Sequence, residues 1–120
     1  MGQIRKLLIV DDDEHLASLI QLMLENEGYE AMTSHSGGHG YLTYLLFKPD
    51  LVITDVQMPG INGLELMHHI RVHDPVIKTI YMTGDPDLYR LLLEEQQQRY
   101  GATVVKKPFS KAKLMQLLSE

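Results

Sequence analysis

Five short runs of apolar residues, each followed by a segment with helical periodicity, constrain the fold of this chain more than any other feature. The runs have the length of strands, and the segments between them repeat apolar residues at helical spacing. Strands that are apolar throughout need cover on both faces, which points to a parallel sheet between two layers of helices. The predicted strands are residues 6–10, 29–34, 50–55, 76–83 and 102–105, and the predicted helices are residues 14–27, 37–48, 63–72, 87–100 and 110–118.

Three of these helices indicate which face they bury. In the first, apolar residues recur at intervals of three and four, and Gly28 is placed to end the helix. The third and fifth helices repeat the pattern. The positions expected to face the sheet are Leu16, Leu19, Ile20, Met23, Leu24, Leu64, Met67, Ile70, Leu114, Leu117 and Leu118.

Length and composition fit one domain over residues 1–120, because 120 residues with 44% hydrophobic content can build one covered sheet. The net charge of −5 gives no basic footprint, so we expect no direct nucleic-acid binding by this domain. The absence of cysteine excludes disulfides and thiolate metal sites. The first apolar run stops after four residues at an acidic triplet, so neither a signal peptide nor a membrane span is expected and the predicted location is cytoplasmic.

Polar side chains follow four of the five predicted strands. Each one alone has an ordinary structural role as a turn former, a helix cap or a solvated lysine. Doubly wound sheets, however, bind ligands beyond the carboxyl ends of their strands, so convergence at that edge predicts a functional site. The residues are Asp11 and Asp12 after the first strand, Asp55 at the third, Thr83 and Gly84 at the fourth, and Lys106, Lys107 and Pro108 at the fifth.

The chemistry that needs this set is specific. Three clustered carboxylates repel one another unless a cation neutralises them, and oxygen ligands without nearby His or Cys favour magnesium. A lysine beside such a metal suits a phosphoryl group, whose transfer depends on positioning and charge stabilisation. Asp55 lies alone at the end of the central strand, which makes it the best candidate for a nucleophile that forms an acyl phosphate.

Other polar residues have simpler interpretations. Asp13 is placed for the first turn of a helix, where negative charge is favourable. His69 and His73 have a spacing that zinc sites use, but no carboxylate is suitably spaced and a solvated helix face explains them.

The chain resembles the receiver domain of bacterial two-component response regulators. The matching segments are "LLIVDDDE", "DLVITDVQMPGINGLEL", "IYMTG" and "GATVVKKPF", in order and over essentially the whole chain. The resemblance implies a five-stranded doubly wound α/β fold with strand order 2-1-3-4-5 and helices on both faces. That order would place the first and third strands side by side.

The resemblance also implies roles for the acidic residues and the lysine. Asp55 would accept a phosphoryl group from a phosphohistidine. Asp11 and Asp12 would form the acidic pair for magnesium (or manganese). Direct ligands would be Asp12, Asp55 and the backbone carbonyl of Gln57. Lys107 would pair with a phosphoryl oxygen.

Further roles concern the switch and the lifetime of the phosphoryl group. Thr83 would turn inward to hydrogen-bond the phosphoryl group, and Gly84 would leave room for it. Gln57 and Asp85 match the two positions that tune hydrolysis. The peptide bond before Pro108 is expected to be cis, which would orient the lysine.

The implied function is a phosphoacceptor switch that assists only its own phosphorylation and slow dephosphorylation, and is not otherwise an enzyme. Its partners would be a sensor histidine kinase or a histidine phosphotransfer protein, and a downstream effector. The face formed by the fourth helix, fifth strand and fifth helix is a candidate homodimer interface.

Two other functions fit parts of the same sequence. Receivers commonly carry Tyr or Phe three residues before the lysine, where this chain has Val104, so a degenerate receiver that acts only as an interaction module is the alternative. A hydrolase of the haloacid dehalogenase family would place a second Asp two residues after the nucleophile, where this chain has Gln57.

Overall fold

A computed structural model of the chain describes residues 3–120 and contains one five-stranded parallel sheet with the order β2-β1-β3-β4-β5. This confirms the predicted α/β doubly wound fold. The strands are β1 (Lys6–Val10), β2 (Glu30–Ser34), β3 (Leu51–Asp55), β4 (Lys78–Thr83) and β5 (Thr103–Lys106). The helices are α1 (Glu14–Asn26), α2 (Gly37–Phe47), α3 (Gly63–His73), α4 (Arg90–Tyr100) and α5 (Lys111–Leu118).

Each face of the sheet has its own hydrophobic core, because side chains alternate along a strand. In β1, Leu7 and Ile9 pack with α1 and α5, whereas Leu8 and Val10 pack with the layer that contains α2, α3 and α4. All four of these side chains are fully buried, which explains the continuous apolar run.

The strand register brings the carboxyl ends together at one edge of the sheet. Val10 at the end of β1 pairs with Thr54 in β3, and Asp55 pairs with Met82 in β4. Thr83 at the end of β4 pairs with Lys106 in β5. Residues that follow these strands therefore meet at a common edge.

One predicted inward position is wrong. Leu19 is 49% exposed, because the buried stripe of α1 runs through Ala17, Ile20 and Leu24 and Leu19 lies to one side of it. In α3 the predicted Met67 and Ile70 are fully buried, as is Leu66, which was not predicted, and Leu64 packs against the same core while partly buried.

The start of α4 also differs from the prediction. The helix begins at Arg90 and not at residue 87, since residues 86–89 form turns. Tyr89, which precedes the helix, has a positive φ of 61° and makes no side-chain cap bond. Within residues 3–120, no helix has both the length and the apolar character that crossing a bilayer requires.

Candidate functional site

Three carboxylates cluster at the carboxyl edge of the sheet. Asp11 and Asp12 follow β1, and Asp55 ends the adjacent strand β3. One carboxylate oxygen from each residue lies within 4.8 Å of the other two. Asp11 and Asp55 are buried whereas Asp12 is exposed, so the cluster opens to solvent on one side.

The acidic triplet after β1 is divided between the site and the helix that follows. The Asp13 side chain accepts hydrogen bonds from the backbone N–H groups of His15 and Leu16, each at 3.1 Å, and caps α1. Asp11 Oδ1 accepts a 3.0 Å bond from the Asp13 backbone N–H, and the Asp11 N–H donates to the Ser34 carbonyl. Asp11 is therefore fixed from both sides, and Asp13 is directed away from the cluster.

Asp55 is held by close packing between β3 and the start of α3. The Val56 N–H donates to the Met82 carbonyl at 2.9 Å, and the Thr54 hydroxyl donates to the Asp55 carbonyl at 3.0 Å. A Cβ atom at Gly63 would overlap that same carbonyl oxygen. Only glycine lets the start of α3 approach the end of β3 so closely, which gives Gly63 of the "GINGLEL" segment a steric role.

Lys107 connects the fifth strand to the carboxylates. Its ammonium lies 2.8 Å from Asp11 Oδ2 and 3.2 Å from Asp55 Oδ2. Its backbone N–H donates to the Thr83 carbonyl at 2.8 Å, and the Lys107–Pro108 peptide bond is cis. The lysine therefore reaches across β4 and contacts both buried carboxylates at once.

Burial and charge together determine the protonation of this group. Burial raises the pKa of Asp55 to about 6, helped by the negative charge of Asp11 and opposed by Lys107. For Lys107, burial lowers the pKa, but the hydrogen bond to Asp11 and the charges of Asp55 and Asp11 outweigh it and raise the pKa overall. The ammonium thus stays charged where an anionic substrate would need it.

The residues after β4 complete the edge. The buried Thr83 hydroxyl accepts a bond from the Asp85 N–H and donates to the Asp85 carbonyl, both at 3.0 Å. A Cβ atom at Gly84 would meet nothing within 4 Å, so this position borders open space. Gln57 and Asp85 are both exposed, in the loops after β3 and β4.

Two histidine positions have contacts that the sequence did not indicate. His35 lies beside the site, with Nδ1 3.3 Å from the Asp11 carbonyl oxygen. His73 Nε2 lies 2.6 Å from the Tyr41 hydroxyl. Among residues 3–120, the carboxylate cluster is the one group of three His, Cys, Asp or Glu side chains close enough to share an ion.

The arrangement suits reactions of a phosphoryl group. Hard oxygen donors from three acids match the ligands that Mg²⁺ prefers, and they include no nitrogen or sulfur donor that would select a softer metal. Lys107 supplies positive charge 3.2 Å from Asp55 Oδ2 and 2.8 Å from Asp11 Oδ2. The Asp55 carboxylate thus belongs to the candidate cation site and also contacts an ammonium.

Comparison with known proteins agrees with this geometry. Residues 7–119 match the family model described as "Response regulator receiver domain". Sporulation initiation phosphotransferase F of Bacillus subtilis is 31% identical over 87% of this chain and 82% of its own length. The alkaline phosphatase synthesis transcriptional regulatory protein PhoP of the same organism is 32% identical over 74% of this chain, which spans only 37% of that relative.

Solved structures agree as well. The response regulator TrrA of Thermotoga maritima, solved in complex with Mg(2+)-BeF, has a TM-score of 0.82 and 31% identity, with 97% of each chain covered. The family match covers both halves of the site, since it includes the acids after β1 and the lysine after β5. The chain therefore belongs to the response regulator receiver domain family of two-component signal transduction.

Proposed function

We propose that this receiver domain is a magnesium-dependent switch in which Asp55 accepts a phosphoryl group from a phosphohistidine. The observation that carries the proposal is the contact of Lys107 with both Asp11 and Asp55 beside the exposed acid Asp12. A surface with three acids and no lysine would only repel a phosphoryl donor. Here the Lys107 ammonium places a positive charge beside Asp55, where it would attract the oxygens of the incoming phosphoryl group.

In the proposed reaction an Asp55 oxygen forms a bond to phosphorus while the P–N bond to the donor histidine breaks. The electron pair of that bond stays on the imidazole nitrogen, which then takes up a proton. Lys107 donates a hydrogen bond to one phosphoryl oxygen. The Thr83 hydroxyl leaves the Asp85 carbonyl and donates to another phosphoryl oxygen. A bound Mg²⁺ would neutralise charge on the phosphoryl oxygens; Asp12, Asp55 and the Gln57 carbonyl would hold it directly, and Asp11 would complete the acidic pair.

Several further roles belong to the same proposal. Gly84 borders the open space that a phosphoryl group would occupy. Gln57 and Asp85, both exposed, would tune hydrolysis of the acyl phosphate. Manganese, which shares the oxygen preference of magnesium, would support the reaction as well.

The partners proposed for the domain follow from this chemistry. A sensor histidine kinase or histidine phosphotransfer protein would supply the phosphoryl group in the cytoplasm. A downstream effector would read the phosphorylated form, and the face of α4, β5 and α5 would be available for a homodimer. With a net charge of −5, the domain itself would not bind nucleic acid.

The proposal is tested by incubating the protein with acetyl phosphate and MgCl₂ and measuring its intact mass. We expect an adduct of one phosphoryl group that is absent in EDTA and absent in Asp55→Asn. The matched control is Asp87→Asn, at an exposed aspartate in the loop after β4, which should be phosphorylated like the wild type. An adduct that persists in Asp55→Asn would refute the assignment.

The degenerate receiver remains the second candidate because of one position. Val104 lies opposite Tyr81 in the β4–β5 pairing, where receivers commonly have an aromatic residue in place of valine. Under that alternative, partner binding would be the same with and without the phosphoryl adduct. Calorimetric titration of the effector into both forms of the domain separates the two candidates.

A further inference from the structure

The buried strand β4 presents a row of hydroxyl groups on one face. Thr79, Tyr81 and Thr83 alternate along the strand, so their side chains point to the same side of the sheet. All three are at most 4% exposed. The opposite face carries Ile80 and Met82, which pack in the core with α1 and α5. Hydroxyl groups at this depth need hydrogen-bond partners.

Arg71 of α3 partners two of these hydroxyl groups. Its Nη2 donates to Thr79 Oγ1 at 2.9 Å, and its Nη1 lies 3.4 Å from the Tyr81 hydroxyl. Its Cζ lies 4.0 Å from the centroid of the Tyr100 ring, and its buried Nε has no partner among residues 3–120. The side chain of Arg71 is thus held by contacts with neutral groups.

Arg71 is also unusual because it is a buried cation without an acid. It is only 8% exposed, and no carboxylate of residues 3–120 lies within salt-bridge distance of it. Burying an uncompensated charge is costly, so the neutral acceptors around it must carry the stabilisation. The strongest of these acceptors lies on α4.

That acceptor is Gln96. Its Oε1 accepts a 2.6 Å bond from Arg71 Nη1 and a 2.9 Å bond from the Tyr81 hydroxyl. Burial raises the pKa of Tyr81, so its hydroxyl remains a donor. Within α4 the one fully buried side chain is Leu93. The helix is therefore held by Leu93, by the contact of the Tyr100 ring with Arg71 and by one shared amide oxygen.

These contacts lie on the path between the phosphorylation site and α4. Tyr81 is two residues from Thr83 on the same strand face, and its paired neighbour on β5 is the small Val104. We propose that Arg71 and Tyr81 are positioning residues that hold α4 in its resting place through Gln96, and that phosphoryl binding at Asp55 acts on α4 by breaking this link. The inference rests on the proposed function of Asp55.

Linkage gives the inference a measurable consequence. If a phosphoryl mimic can bind only when the Gln96 link is broken, the free energy needed to break the link weakens its binding. Removing the link in advance must then raise the affinity, because coupling between two sites is reciprocal. A merely structural role would lower stability and leave the affinity unchanged.

The probe is beryllofluoride with MgCl₂, and ¹⁹F NMR integrates its bound and free forms. We expect Gln96→Ala and Tyr81→Phe each to bind it about fivefold more tightly than the wild type. The matched control is Gln97→Ala, since Gln97 is the exposed neighbour of Gln96 and should bind like the wild type. The double variant should gain less than the product of the two single gains, because both changes break one link.

Backbone NMR of residues 90–100 gives the second measurement. In the wild type these amide signals should shift when beryllofluoride binds, and in Gln96→Ala they should already lie near the bound positions. Unchanged affinity in both variants, or amides of α4 that respond equally in wild type and Gln96→Ala, would overturn the inference. Failure of the wild type to bind beryllofluoride and to form the acetyl phosphate adduct would instead overturn the proposed function, and the inference with it.

Discussion

Asp55 combines burial with a second carboxylate close by, and the two effects act in the same direction on its protonation. Burial and the charge of Asp11 both favour the protonated form, and only Lys107 opposes them. The result is a carboxyl whose pKa of about 6 lies well above the usual 3.8. A nucleophile must be ionised, so a cation that binds next to it also prepares it for reaction.

This raised pKa predicts a specific pH dependence of stability in the absence of divalent cations. Because the folded-state pKa exceeds the unfolded-state value, Asp55 contributes stability below pH 3.8 that is lost as the pH rises to about 6. Asparagine does not ionise, so Asp55→Asn does not lose stability as the pH rises. At pH 7 the variant should therefore be more stable than the wild type by about 1–3 kcal/mol. Urea unfolding in EDTA across this pH range measures the difference.

The difference between wild type and Asp55→Asn should vanish below about pH 4, where Asp55 is protonated in both states. Asp87→Asn, at an exposed aspartate, should follow the wild type at every pH. A stability difference that is constant with pH would contradict the assignment to ionisation.

The positions of the acids and the lysine followed from the sequence because each comes directly after an apolar run. The contacts of Arg71 did not, because a charged residue inside a helical pattern is ordinarily assigned to solvent. One signal was available in "KTIYMT", where hydroxyl residues alternate with apolar ones on a strand that also had to be buried. Such a strand requires a polar partner from a neighbouring element.

At the scale of elements, the junction between β3 and α3 decides how Asp55 is presented. The Gly63 N–H donates to the Val56 carbonyl at 2.9 Å, and the Asn62 side chain and Glu65 form a reciprocal capping box. The helix start is therefore fixed by hydrogen bonds and pressed against the end of the strand. No larger residue than glycine fits at that contact.

Gly63→Ala should accordingly destabilise the fold by about 1–3 kcal/mol, since the new methyl group must displace backbone atoms of β3. The matched control is Gly38→Ala, also in the first turn of a helix, where an added Cβ meets nothing within 4 Å. That control should be neutral or stabilising by up to about 1 kcal/mol. Chemical denaturation of both variants tests the comparison, and equal stabilities would contradict it.

Helix α4 shows where sequence reasoning on elements stops. The pattern predicted a start at residue 87, but Tyr89 adopts a positive φ and offers no cap, so the regular helix begins at Arg90. A helix start without a capping side chain has no local signature. Of the four helices whose N-cap side chain accepts a backbone bond, α1, α2 and α3 begin where the sequence predicted, and α5 begins one residue later, at Lys111, because Ser110 is its N-cap.

At the scale of the whole molecule, exposed leucines lie on two different helices of one layer, α2 and α4. Leu91 on α4 is 74% exposed, and Leu46 on α2 is 87% exposed. Both are apolar side chains in water, but only Leu91 belongs to the face of α4, β5 and α5 that we propose for a homodimer. Substitution of Leu91 therefore tests the proposed interface, and the same substitution at Leu46 is the matched control.

We expect Mg²⁺ with beryllofluoride to increase dimerisation, measured by sedimentation equilibrium at several protein concentrations. Leu91→Gln should weaken the association by about tenfold or more, since burying a leucine is worth about 1.5–3 kcal/mol. Leu46→Gln should leave the dissociation constant unchanged. An equal effect of both substitutions would assign the interface to another face.

The contact between Lys107 and two carboxylates also affects the net charge at the carboxyl edge of the sheet. Three ionised acids and one ammonium leave two negative charges, which one divalent cation cancels. In the proposed reaction a singly charged carboxylate becomes a doubly charged acyl phosphate, so the filled site ends with a surplus of one negative charge. Phosphorylation would then add one uncompensated negative charge at an edge whose charges balance when the cation is bound.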